Sequence, residues 1–205
     1  MEPIWLNQLK RIQALASTSL AYCTDPYERE RLLEMLNVCD GMLARHTGLS
    51  LSAVLNVAPD QKSYPTPKVD VRAAVLEAGK IMLVRERDNG LWTMPGGFAE
   101  IGFSPAENAK KEVLEEAGVI VSVRSLYAVR HKAKGPFLPD VRDFYKMYFL
   151  CSRVDETVPA PGTETTEVRF FGVDELPPLC LDRVVPQDVE RAVLHASSPV
   201  TCWFD

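Results

Sequence analysis

The chain carries no apolar run that approaches the ~20 residues needed to cross a bilayer. Its N-terminus lacks the basic stretch and apolar segment of a secretory signal. Positive charge is not in excess either: 23 Lys and Arg stand against 28 Asp and Glu, a formal net charge of −5. Tracking long nucleic acid requires a basic surface, so this balance argues against that class. A small nucleotide remains open, because a local positive patch or one bound cation is enough to hold its phosphates. Cysteine is sparse: Cys23, Cys39, Cys151, Cys180 and Cys202 are odd in number, widely spaced and without a C-x-x-C. A disulfide framework or zinc site is therefore not expected, and reduced thiols in a cytoplasmic protein are. His46, His131 and His195 are scattered and read as surface or capping residues. No membrane and no long nucleic acid is expected among the partners.

What is present suffices for one full domain and a small appendage: 205 residues, 46% hydrophobic and 25% charged. Leu6, Leu9, Ile12, Leu15 and Ala16 recur at spacings of three and four, which predicts a first helix. Asp25-Pro26 opens a second, with Asp as N-cap and Pro at the first helical position. Its apolar stripe is Leu32, Met35, Leu36, Cys39, Met42 and Leu43. Gly48 ends it, and a short third helix is expected over 50–57. Helices this few bury little alone and need cover, from the rest of the chain or from a second copy; a homodimer is the expected outcome. Three prolines, Pro59, Pro65 and Pro67, make the following stretch a linker. The expected division is a helical accessory and dimerisation domain over 1–62 and a second domain over 63–205.

Beyond the linker the pattern shifts to short strands. Residues 69–76 and 80–85 flank Glu77-Ala78-Gly79 as a hairpin, and 91–94 form a strand closed by Pro95-Gly96-Gly97. Strands are also expected over 121–131, 144–153 and 167–173, and a last helix over 186–196. The tail over 197–205 carries no signal. Between the strands, Ser104 as N-cap, Pro105, Glu107 completing a capping box and Gly118 as C-cap define a helix. Glu112, Glu115 and Glu116 share one face of it, at the negative end of its dipole. Three carboxylates crowded there are costly unless a cation neutralises them, and oxygen-only donors select Mg2+ or Mn2+. The bland alternative is a solvated acidic face in which Lys110 and Lys111 pair with their glutamate neighbours. The glycine loop in front, able to approach a ligand closely, favours the metal–diphosphate reading.

Gly97 followed by Glu112-Val113-Leu114-Glu115-Glu116-Ala117-Gly118-Val119 resembles the Nudix box, G-x5-E-x7-R-E-U-x-E-E-x-G-U, and the spacing from Gly97 to Gly118 matches without a gap. Residues 67–72, 92–97 and 167–177 also resemble Nudix flanking segments, so the likeness covers roughly residues 67–180. The N-terminal part resembles the accessory domain of a subgroup that acts on nucleoside diphosphates linked to another moiety. The resemblance implies an α/β fold, an α/β/α sandwich with a mixed sheet plus the small helical domain. It implies divalent-metal-dependent hydrolysis of a nucleotide-derived small molecule such as ADP-ribose or CDP-choline, to a nucleoside monophosphate and X-phosphate. A second reading is a Nudix-fold module that senses a nucleotide without cutting it. That reading draws on two departures from the box, Phe103 for the first glutamate and Lys111 for the arginine. Those two positions pair in the family; here Lys111 is expected to pair with Glu107 or Glu115, and Phe103 to pack.

The expected metal ligands are the Gly97 carbonyl, Glu112, Glu115 and Glu116. The expected catalytic residues are Glu115, Glu116 and Glu164, with Glu116 or Glu164 taking the proton from water. Glu100 reads as a second-metal ligand or a solvated loop residue. Arg72, Arg130 and Phe98 are the expected substrate contacts, Phe98 by stacking on a base. Arg130 belongs to a basic cluster with His131, Lys132 and Lys134 that reads as a solvated loop or as a phosphate clamp.

Overall fold

The computed structural model describes residues 2–58, 64–198 and 201–205. The chain forms two compact units: residues up to Pro67 together with Pro139–Asp143, and Lys68–Leu138 with Phe144–Asp205. The expected boundary at 62/63 lies in residues 59–63, outside the described residues.

In the first unit α1 (Ile4–Tyr22) and α2 (Pro26–Thr47) are followed by α3 (Leu51–Val57). Asp25 caps α2 by accepting from the Glu28 N–H, Pro26 occupies its first turn, and Gly48 closes it at φ 74°. Leu6 and Leu9 pack with Cys39, Leu43 and Val54, while Ala16 and Leu20 pack with Leu32 and Leu36. The start of α1 thus meets the end of α2, which makes them an antiparallel pair. Gln13 donates to Asp40 at 2.6 Å within this interface, and burial pushes the Asp40 carboxyl up. The buried stripe is narrower than the sequence pattern predicts. Ile12, Leu15, Met35 and Met42 are exposed, because Gln13, Ser17 and Asp40 take places in the buried seam.

In the second unit a mixed sheet runs through β1 (Lys68–Glu77), β2 (Lys80–Glu86), β3 (Trp92–Thr93), β4 (Val121–His131), β5 (Phe144–Arg153), β6 (Thr165–Phe171) and β7 (Trp203–Phe204). β1 turns into β2 through Ala78 and Gly79, both at positive φ, as a two-residue hairpin turn demands. β1 pairs in parallel with β5, β5 antiparallel with β4, and β2 antiparallel with β3 and β6. Alternation along β1 sorts the core into two layers. Val71, Ala73 and Val75 face α4 (Pro105–Ala117) through its Ala109, Val113 and Ala117. Ala74, with Ile81 and Leu83, faces α5 (Pro186–Ser197) through Val189 and Ala192. The result is an α/β/α sandwich. The sheet departs from the sequence reading in two places. β6 begins and ends two residues earlier than expected, with Val173 opening a short 3-10 turn, and the tail adds β7 parallel to β4. The five cysteines are all free. No helix among the described residues is long and apolar enough to cross a membrane.

Candidate active site

After β3 the chain does not rejoin the sheet as a regular strand but runs beside β1. Ala73 N–H donates to the Pro95 carbonyl (2.9 Å), Val71 N–H to that of Gly97 (2.8 Å) and Ala99 N–H to that of Val69 (2.9 Å). This ladder fixes a glycine turn whose two members have different reasons to be glycine. At Gly96 φ is +149°, and a Cβ would lie 2.1 Å from the Val71 carbonyl oxygen. At Gly97 a Cβ would lie 2.6 Å from Glu112 Oε1. The first glycine lets two backbones meet; the second leaves room for a carboxylate.

That carboxylate comes from α4, whose start is fixed by the reciprocal Ser104–Glu107 capping box (3.2 and 2.8 Å) and whose end is fixed by Gly118 at φ 67°. Glu116 is buried, and its Oε2 accepts the Gly96 N–H at 3.0 Å. Burial pushes its carboxyl up to about 7, against the opposing Arg72 charge and the Gly96 hydrogen bond, with Glu112 adding to the rise. Glu112, half-buried one turn earlier, is also raised, by burial first; Arg72 and Lys111 oppose, while Glu115 and Glu164 add. Glu164 reaches this neighbourhood because its loop is tied to the helix end. Gly162 N–H (3.3 Å) and Thr165 Oγ1 (2.8 Å) both donate to the Glu116 carbonyl. Glu115 lies apart: it is exposed and accepts Lys111 Nζ at 2.6 Å.

Among the described residues no three His, Cys, Asp or Glu side chains are gathered to hold an ion. Glu115, the third carboxylate of the helix, is instead paired with Lys111. Glu112 and Glu116 both reach the glycine turn, Glu112 beside Gly97 and Glu116 on the Gly96 N–H, and with the Gly97 carbonyl the turn offers oxygen donors only. The Gly97 oxygen has accepted one hydrogen bond and keeps a second lone pair. Two carboxylates raised by burial and not fully offset by Arg72 fit a hard divalent cation, and nothing in the set suits zinc.

Two of the expected substrate contacts need correction. Arg72 is buried and four of its five N–H donors are paired: Nε and Nη2 on Asp70 (3.2 and 2.7 Å), Nη1 on Thr93 Oγ1 and the Met94 carbonyl (3.5 and 3.3 Å). It braces the approach to the glycine turn instead of facing a substrate. Arg130 is neither solvated nor an open clamp. It is buried, pairs with Asp188 at 2.5 Å and lies over the rings of Phe137 and Trp203. Lys132, beside it, is buried as well. Glu100 meets Lys111 at 3.1 Å. Phe103 is half exposed and does not pack as expected. Phe98 does present an exposed ring, stacked on Phe144 at 5.5 Å with Lys68 over its face.

Sequence reasoning missed the partners of these groups. Asp70 receives both Arg72 and Lys146 in a buried triad. Burial raises the Asp70 carboxyl, but the two cations outweigh it and hold it below its usual range. Lys146 is pushed down to about 8, by burial first. Asn108 was missed too. It is fully buried on α4, accepts the Glu100 N–H (2.9 Å) and donates to the Ser104 carbonyl (3.1 Å). An Asn in the middle of an otherwise strong helix was the only signal.

Comparison with known proteins places this geometry in context. A family model described as the NUDIX domain matches residues 66–189, and one described as a UDP-X-like, N-terminal oligomerisation domain matches residues 3–57. A Bacillus subtilis protein provisionally named ADP-ribose pyrophosphatase is 40% identical over 188 residues, 90% of this chain and 88% of that protein. The crystal structure of a UDP-X diphosphatase aligns over 97% of both chains at 32% identity and a TM-score of 0.65. An ADP-ribose pyrophosphatase from Streptococcus suis aligns over 68% of this chain and all (100%) of its own, at 35% identity and a TM-score of 0.62.

Proposed function

We propose, from the premise that the chain belongs to the Nudix family and is a hydrolase of phosphoanhydride bonds, that its substrate is a nucleoside diphosphate linked to a second moiety X. The products are a nucleoside monophosphate and X-phosphate. The observation that carries this reading is the convergence of Glu112 and Glu116 on one turn, where the missing side chain of Gly97 leaves space for the Glu112 carboxylate and the Gly96 N–H donates to Glu116. Glu112, Glu116 and the Gly97 carbonyl would hold Mg2+ or Mn2+, with Glu115 as a further ligand. A cation held there would supply charge to polarise a phosphoryl oxygen and to make a bound water more acidic.

The chain's own groups supply the rest. Gly96 N–H and burial keep Glu116 in place. Glu164, exposed on its loop and close enough to Glu112 to raise it, is the general base that takes the proton from the attacking water. Phe98 offers an aromatic face beside the turn on which a base can stack. The Asp70–Arg72–Lys146 triad holds β1, and with it the glycine turn, in register. The similarity to ADP-ribose and UDP-X hydrolases supports the diphosphate-X class, with ADP-ribose, a UDP-sugar and CDP-choline as the first substrates to try. Free cysteines throughout fit a reducing, cytoplasmic setting. The exposed apolar residues of α1 and α2 support a homodimer.

The test is chromatography of nucleoside monophosphate after incubation with those three compounds, with Mg2+, with Mn2+ and with chelator. Release that requires the cation is expected from at least one of them. No monophosphate from any of them with either cation would overturn the reading.

A further inference from the structure

The Nudix pattern has a glutamate where this chain has Phe103 and an arginine where it has Lys111, so the usual tie between loop and helix is missing from its usual place. The structure shows the tie displaced by three residues. Glu100 is gripped twice from α4: its N–H by Asn108 Oδ1 at 2.9 Å, and its carboxylate by Lys111 Nζ at 3.1 Å. The same Nζ reaches Glu115 Oε2 at 2.6 Å. One ammonium therefore joins the glycine loop to the glutamate that stands apart from Glu112 and Glu116. Glu115 and then Glu100 hold that ammonium well above its usual range.

We propose that Lys111 is a positioning residue, a tethered counter-cation that holds Glu115 to the glycine loop when the site is empty of metal and yields it when a divalent cation binds. Cation binding and the state of residues 98–103 are then coupled through one side chain. This rests on the cation site proposed above. The electrostatics support exchange over permanent pairing. Lys111 and both of its partners are solvent-accessible, so the pairs are weak enough to break. A divalent ion drawing on the same carboxylate repels the ammonium, and both charges cannot be served at short range by one partner. The pair Phe103 and Lys111 makes this chain's Glu115 conditional.

The experiment titrates the full chain with Mn2+ alone, by calorimetry, in the wild type, Lys111→Gln, Glu115→Gln and the double variant. Lys111→Arg serves as the charge-retaining control. Lys111→Gln should tighten Mn2+ about three- to tenfold, and Lys111→Arg should not. In the Glu115→Gln background the Lys111 change should do much less. Hydrogen exchange over residues 99–103 supplies a second readout: Mn2+ should speed it in the wild type and leave it unchanged in Lys111→Gln. Equal effects of Lys111→Gln with and without Glu115, or a loop whose exchange ignores Mn2+, overturn the proposal while leaving the cation site standing. Failure of Mn2+ to bind the wild type overturns the site and this inference together.

Discussion

One methyl group at a time separates the duties of the two glycines. At Gly97 an added Cβ meets the tip of Glu112, a side chain that can swing away. Gly97→Ala should therefore cost less than about 1 kcal/mol of stability and yet lower kcat about 100-fold, by displacing a charge-stabilising group. At Gly96 the added Cβ meets backbone, at a φ that L-residues rarely adopt. Gly96→Ala should cost about 2–4 kcal/mol. Thermal melts and turnover of both variants check the contrast; equal stabilities would refute it. Glu116 adds a pH signature. Its folded carboxyl titrates at about 7, above the unfolded value of 4.5, so the folded state binds the extra proton. Its contribution to stability is full below 4.5 and is lost as pH rises to about 7. With chelator present, the melting temperature should fall across that window, by the equivalent of a few kcal/mol at most, on the order of 1.4 kcal/mol per unit. Glu116→Gln should flatten the slope, which urea melts at pH 5 and pH 8 would show.

At the scale of elements, α4 illustrates what the sequence discloses and what it hides. Its ends were legible because Ser104, Pro105, Glu107 and Gly118 act within a few residues of one another, and local chemistry needs no knowledge of the fold. The glycine loop and the three glutamates were legible because their spacing is itself a pattern. The triad of Asp70, Arg72 and Lys146 was not, since 76 residues separate the carboxylate of β1 from the ammonium of β5. Only the parallel β1–β5 pairing, Asp70 opposite Lys146, brings them together. Arg130 was misjudged for the same reason, its partner Asp188 being 58 residues on. β7 was invisible because two residues carry no periodicity. Asn108 shows how a hidden partner matters to an element. Asn108→Ala would remove the bonds that Asn108 makes to the 100–104 turn and leave the Glu100 N–H without its acceptor. A loss of about 2 kcal/mol is expected, with faster proteolysis in that loop. Unchanged stability would show that Ser104, Glu107 and Lys111 hold the turn unaided.

For the whole molecule, the question is what covers the helices of the first unit. Their shared seam takes one stripe from each helix, yet each carries a second. Trp5, Ile12 and Leu15 recur at seven and three on α1, and Met35, Val38 and Met42 at three and four on α2; all six are more than a third exposed. Single exposed apolar residues are ordinary, but two adjacent stripes on an antiparallel pair make a continuous surface of the kind that marks an interface. A second copy presents an identical surface, so a two-fold axis satisfies both at once. The wild type should therefore run as a dimer at micromolar concentration in light scattering. Leu15→Glu together with Val38→Glu would place a like-charged pair in each half of such an interface, two carboxylates facing two across the axis. That should weaken association at least about 100-fold, at roughly 1–3 kcal/mol per desolvated charge, and yield a monomer with an unchanged helical circular dichroism spectrum. In water both positions are already exposed, so the monomer itself loses little. A wild type that weighs as a monomer, or a double variant that still weighs as a dimer, would rule out these helices as the interface.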